Sequence, residues 1–125
     1  MSKYPPLENI NTSRVQGLEQ QKANFQLLIE RRELALKLYN NRDFRKLILE
    51  HFCLNDAARY VQESADPMLP EHQRADALAM AQASGHLKRY LSLCVLMGAD
   101  ALSKSSELEE ALAQARAGGD NEDEE

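Results

Sequence analysis

Between residues 14 and 40 apolar side chains recur at alternating spacings of three and four. Val15, Leu18, Phe25, Ile29, Leu36 and Tyr39 hold these positions, and Lys22 and Arg32 fill the two gaps. Such heptad spacing brings side chains to one face of a helix. It predicts a long, coiled-coil-like helix whose seam serves as an oligomer or partner interface. Both interruptions are cationic, so a parallel in-register pair would oppose like charges. The pattern fits better with a solvated edge, the stems lying on apolar surface and the charges in water. A second stripe, Leu27, Leu34 and Leu38, lies on another side of the same helix. A helix apolar on two sides needs more than one neighbour.

The remaining pattern is also helical. Pro5 and Pro6 make residues 1–12 an extended arm, with Thr12 or Ser13 as N-cap of the first helix. Asn41 is an N-cap for a helix over about 42–52, whose buried face is Phe44, Leu47, Ile48 and Phe52. Asn55 and Asp56 cap a short helix over 56–65 through Ala57, Ala58 and Val61, and Asp66-Pro67 forces a turn. Pro70 suits the first position of a helix over 70–97, with Ala77, Met80, Ser84, Leu87, Leu91 and Cys94 on one face. Gly85 either splits that helix or allows close approach, and Gly98 is its C-cap. Ser106-x-x-Glu109 reads as a capping box opening a last helix over 105–117, which Gly118-Gly119 ends. The connections are short, which favours antiparallel neighbours. The expected fold is therefore all-α: a small helical bundle forming a single domain over 13–117, followed by a disordered acidic tail over 118–125.

Composition supports this. Ala, Leu, Glu, Gln and Arg dominate the 125 residues, and there is no Trp. The net charge is −5, and Asp120, Glu122, Asp123, Glu124 and Glu125 account for all of it. A neutral body with an acidic tail argues against nucleic acid as the partner. The dense positive patch is Arg31, Arg32, Lys37, Arg42, Arg45 and Lys46, read first as a solvated face paired with Glu30, Glu33, Asp43 and Glu50. Its functional reading is a dock for an acidic partner or a nucleic-acid backbone, the latter being the weaker because the body is neutral. Cys53 and Cys94 sit in apolar surroundings and read as small buried hydrophobes. Residues 1–11 are polar, hold two prolines and lack a secretory leader pattern. No apolar run approaches the ~20 residues of a membrane span. A reducing, cytoplasmic setting without membrane contact is expected.

Candidate chemistry is sparse. His51 and Cys53 lie about 200° apart on an α-helix and diverge. His72 and Asp76, four apart, share a face but supply only two ligands where zinc needs three or four. Ser84-Gly85-His86 is contiguous, and helical neighbours do not face each other. No glycine-rich phosphate loop is present. Neither enzymatic activity nor a metal or cofactor is expected.

The run Asn41 to Ile48, then Phe52, Asp56-Ala57-Ala58-Arg59, Ala65-Asp66-Pro67 and Gly85-x-Leu87-x-x-Tyr90, resembles a group of short proteins encoded by tailed bacteriophages. The resemblance covers about residues 40–98. It implies a helical fold with a charged C-terminal end, from genes among those for heads and DNA packaging. It implies virion assembly as context: a scaffold-like or prohead-core component, an assembly chaperone or a minor structural protein. Its partners would be itself and other phage structural proteins, in the host cytoplasm or the virion. His51 stands where the group has a small turn residue, which implies a helix continuing into Phe52. The competing expectation is a small helical protein that binds and inhibits or redirects a host factor.

Overall fold

The computed structural model describes residues 7–124, with side chains described for 11–118. All secondary structure in this span is helical, and it forms a helical bundle. Helix α1 spans Leu7–Asn40. A continuous helical run follows, made of α2 (Arg42–Phe44), a π-helical segment (Arg45–Asp56) and α3 (Ala57–Ser64). Helix α4 spans Glu71–Glu124, 54 residues.

Asn41 separates α1 from α2 as anticipated. Its backbone is extended, and its side-chain oxygen accepts the Phe44 amide at 2.9 Å. This satisfies one of the free donors at a helix start. Asp66 forms the next corner: its carboxylate accepts the Met68 amide at 2.9 Å, and its carbonyl accepts the Leu69 amide at 3.2 Å. The Pro70 carbonyl then accepts the Gln73 and Arg74 amides, both at 3.1 Å, so Pro70 lies just outside α4.

Several boundaries differ from expectation. Residues 7–12, expected as an extended arm, already belong to α1, and residues 1–6 lie outside the described residues. No break occurs at 52–55. Asp56 has helical dihedrals and makes no side-chain cap bond, because the π segment passes directly into α3. Gly98 does not end a helix: α4 continues through it with no positive φ. Ser106 lies inside α4, and Glu109 pairs with Lys22 at 3.7 Å rather than closing a capping box. The neighbouring serines are accommodated by back-bonding, Ser103 to the Asp100 carbonyl at 2.8 Å and Ser105 to the Leu102 carbonyl at 2.9 Å. Helix α4 likewise runs through Gly85 and Gly118. The side chains of the expected acidic tail from residue 119 onward lie outside those described.

The π segment also changes which residues face inward. At α-helical winding of about 100° per residue, Phe44, Leu47, Ile48 and Phe52 share a face and Cys53 opposes it. A π-helix bonds i to i+5 and is wider. The covered positions here are Phe44, Ile48, Leu49, Phe52, Cys53, Asp56 and Ala57, at spacings of four and five. Leu47, expected in the core, is 64% exposed. Val61, also expected inside, is exposed, and Tyr60 is the better covered residue.

Where one domain over 13–117 was expected, contacts gather into two compact units. The first combines α1 to Arg31 with α4 from Met97. Here the helices are antiparallel: Asn11 donates through Nδ2 to the Ala115 carbonyl at 3.1 Å, Glu19 pairs with Arg116 at 3.1 Å, and Lys22 meets Glu109. Its buried residues among those described are Gly98, Ala101, Leu108, Leu112 and Ala115. The second unit holds residues 32–96. Its buried positions are mostly small: Ala35, Cys53, Ala77, Ser84 and Cys94, with Leu91. Small side chains at the contact set a short distance between helices.

Candidate functional site

The six seam residues, Val15, Leu18, Phe25, Ile29, Leu36 and Tyr39, are all half-buried. In the first unit Leu18 and Phe25 line a shallow groove with Leu108 and Ala111 of α4, so this part of the seam faces the chain's own helix. Lys22 and Arg32 keep the 3–4 register and are half-buried too. The Arg32 Nε is buried without a hydrogen-bond partner. Only its stem behaves as a seam residue. The second stripe is uncovered. Leu27 is exposed in the first unit, and Leu34 and Leu38 are 52% and 40% exposed in the second. One turn apart, these two form a continuous apolar strip on a helix.

The basic patch divides. Arg42, Arg45 and Lys46 line one recess of about 310 Å³ together with Glu50. Among the described residues no carboxylate forms an ion pair with any of the three, where the sequence suggested a paired face. Arg31 is exposed at the end of the first unit, and Arg32 belongs to the seam side. Lys88 lies within electrostatic reach of Cys53 and does not line the recess.

A second cleft, about 500 Å³, lies between α3 and the start of α4. It is lined by Tyr60, Glu63, Leu69, His72, Gln73, Asp76 and Ala77. The helix-face pairing of His72 and Asp76 is therefore real, and Glu63 joins them. Glu63 is already engaged: Arg59 donates to it at 3.0 Å, approaches Asp56 at 3.5 Å and stacks over the Tyr60 ring at 4.7 Å. The Glu63 hydrogen bond holds the Arg59 pKa even higher than usual. Among the described residues, no three His, Cys, Asp or Glu side chains gather closely enough to hold a metal ion. His51 is exposed and Cys53 buried, so the pair diverges.

Cys53 and Cys94 are both buried, as their apolar surroundings in the sequence suggest. The Cys53 thiol approaches the Ser84 carbonyl at 3.8 Å, and burial pushes its pKa up, with Lys88 opposing. A raised thiol is a poor nucleophile. The π winding sets which covered residues Cys53 lies beside, and no local motif announces that winding.

Fold and surfaces together define a helical protein with exposed apolar strips and a cationic recess. No described helix is long and apolar enough to cross a membrane. Comparison with protein-family models, with curated proteins and with solved structures finds no match to this chain.

Proposed function

We propose that this chain is a non-enzymatic assembly protein that acts through helix–helix contacts, as a homo-oligomer and with other structural proteins. Bacteriophage particle assembly is the context that the resemblance over residues 40–98 suggests, whether as scaffold-like core component, assembly chaperone or minor virion protein. The observation that carries the reading is the uncovered apolar strip at Leu34 and Leu38. A helix that shows apolar surface beyond its own buried face is built to receive another helix. The coiled-coil seam from Val15 to Tyr39 supports the same reading, because its residues remain half-exposed and gain from further cover.

The test is the mass of the purified chain by light scattering across concentration, at low and moderate salt. An oligomer that persists at both salts is expected, because apolar contacts are not screened. Leu34→Asp with Leu38→Asp should lower that mass while leaving helicity intact. Ile29→Asp with Leu36→Asp should lower mass or prevent folding. Seam and strip variants that stay folded at unchanged mass would overturn the reading.

The second reading is a binding module directed at a host factor, favoured by the cationic recess and the acidic C-terminal residues. It predicts a monomer that captures one host protein and loses it when residues 118–125 are removed. An assembly protein co-purifies instead with portal, capsid or particles.

A further inference from the structure

Three cations crowd one turn at the start of the helical run from Arg42. Arg42 and Lys46 are four apart, Arg42 and Arg45 three apart, so all three sit on neighbouring positions of one face. Like charges at these spacings repel. The positive end of a helix dipole lies at the same place and adds to the repulsion. Asp43 is in the same turn but does not line the recess, and Glu50 lines it without pairing. The arrangement costs the free chain stability and favours any anion that enters. Charge is also divided between the two units. By sequence the first carries 12 acidic against 6 basic residues and the second 8 against 9, a net −6 and +1. Five of the acids are Asp120, Glu122, Asp123, Glu124 and Glu125.

We infer that the Arg42–Arg45–Lys46 recess is the docking site for the acidic C-terminal segment, Asp120 to Glu125, of a second copy of this chain. This rests on the reading of the chain as a self-assembling protein. A short acidic segment suits a recess of about 310 Å³. A long polyanion such as nucleic acid needs a wide basic excess, and the second unit carries only +1. The contact is continuous with apolar surface, since Leu47 follows Lys46 and is largely exposed. Tail to recess is a heterologous contact, the same two patches meeting in every pair. Such contacts close into rings or continue as chains, which is the geometry of a scaffold.

The test uses the full-length chain with its own tail neutralised (Asp120→Asn, Glu122→Gln, Asp123→Asn, Glu124→Gln, Glu125→Gln). A fluorescently labelled peptide of residues 118–125 is titrated into it and followed by anisotropy. Saturable binding is expected, weakened at least tenfold when Arg42, Arg45 and Lys46 are changed to Glu in the same chain. Raising salt from about 50 to about 300 mM should weaken it too, by shortening the screening length. All three are exposed, so circular dichroism should remain unchanged. No binding, or equal binding to the recess variant, would overturn the inference. In the second arm the tail-neutral chain is mixed with a chain reversed only in the recess. The mixture should show a mass above that of either alone. Peptide binding without this gain means the tail docks within its own chain, which overturns the second-copy assignment. A salt-resistant oligomer that persists without peptide binding sinks this inference alone. Peptide binding by a chain with no salt-resistant oligomer sinks the apolar-strip reading instead.

Discussion

The thiol of Cys53 sits 3.8 Å from the carbonyl oxygen of Ser84, with both residues buried. Ser84 spends its own hydroxyl on the Ala81 carbonyl at 2.7 Å, one turn back. Two small residues thus meet where the π segment crosses α4, and neither brings an unmet polar group. The contact exists because the π winding turns Cys53 inward. It is one contact that ties residues 45–56 to α4.

From this contact follows a pH dependence. Burial raises the Cys53 pKa above its ordinary value near 9. The folded chain therefore holds the thiol proton more tightly than the unfolded chain. Its contribution is fully present below the unfolded value and is lost as pH rises through the folded value. The difference in urea midpoint between wild type and Cys53→Ala should be flat from pH 7 to about 8.5 and shrink above pH 9. Native Cys53 should also resist alkylation at pH 8 until urea unfolds the chain. Rapid labelling in the native state would contradict the burial argument.

The π winding makes a separate prediction at Leu47 and Phe52. Leu47→Ala should cost little, on the order of 0.5 kcal/mol or less, because the side chain is already largely in water. Phe52→Ala, on the covered side, should cost about 2 kcal/mol, less than a fully buried Phe because the ring is only half-buried. An α-helical segment would bury Leu47 as well. Equal and large losses at both positions in urea unfolding would mean that the segment is wound as an α-helix.

These cases show what could be read from the residues. The 3–4 recurrence from Val15 to Tyr39 is a direct record of a helix face, and the Asn41 cap and the Asp66 turn are local chemistry. All three are present in the structure. The π segment has no such record, since Phe44, Leu47, Ile48 and Phe52 satisfy the α-helical period well. The length of α4 was hidden for the opposite reason. Gly98 and Ser106-x-x-Glu109 are local stop and start signals, but Leu91, Cys94, Gly98, Ala101, Leu108, Leu112 and Ala115 keep one buried face through both. Burial along that face outweighs the cost of one glycine. The recess at Arg42, Arg45 and Lys46 was visible as a charge run. The lack of pairing that makes it a candidate site depends on rotamers and could not be.

Gly85 offers a clean measure of helix propensity. It lies in the interior of α4, and a Cβ added there meets nothing within 4 Å. The substitution Gly85→Ala therefore removes backbone entropy from the unfolded chain without steric cost. It should stabilise the protein by about 0.5–1 kcal/mol. A thermal midpoint that fell would mean that Gly85 faces a surface not present in the isolated chain, such as a partner helix.

The last prediction concerns Lys22, the cation in the seam. It lies between Leu18 and Phe25 at the 3–4 spacing of the seam, and its ammonium meets Glu109 at 3.7 Å with the side chains 40% and 66% exposed. An exposed pair of this length contributes at most about 1 kcal/mol, and commonly less. Lys22→Leu forfeits that pair but places a branched apolar side chain at a seam position beside α4. At about 25 cal/mol per Å² of apolar surface removed from water, the exchange favours leucine, by about 0.5–1 kcal/mol after allowing for the lysine stem already covered. The thermal midpoint should rise, and the rise should be smaller at low salt, where the forfeited ion pair is least screened. The same change extends the apolar seam without its charge, so light scattering should show equal or greater mass. A destabilised Lys22→Leu chain would show that the pair with Glu109 fixes the antiparallel register of α1 against α4 more strongly than apolar contact does.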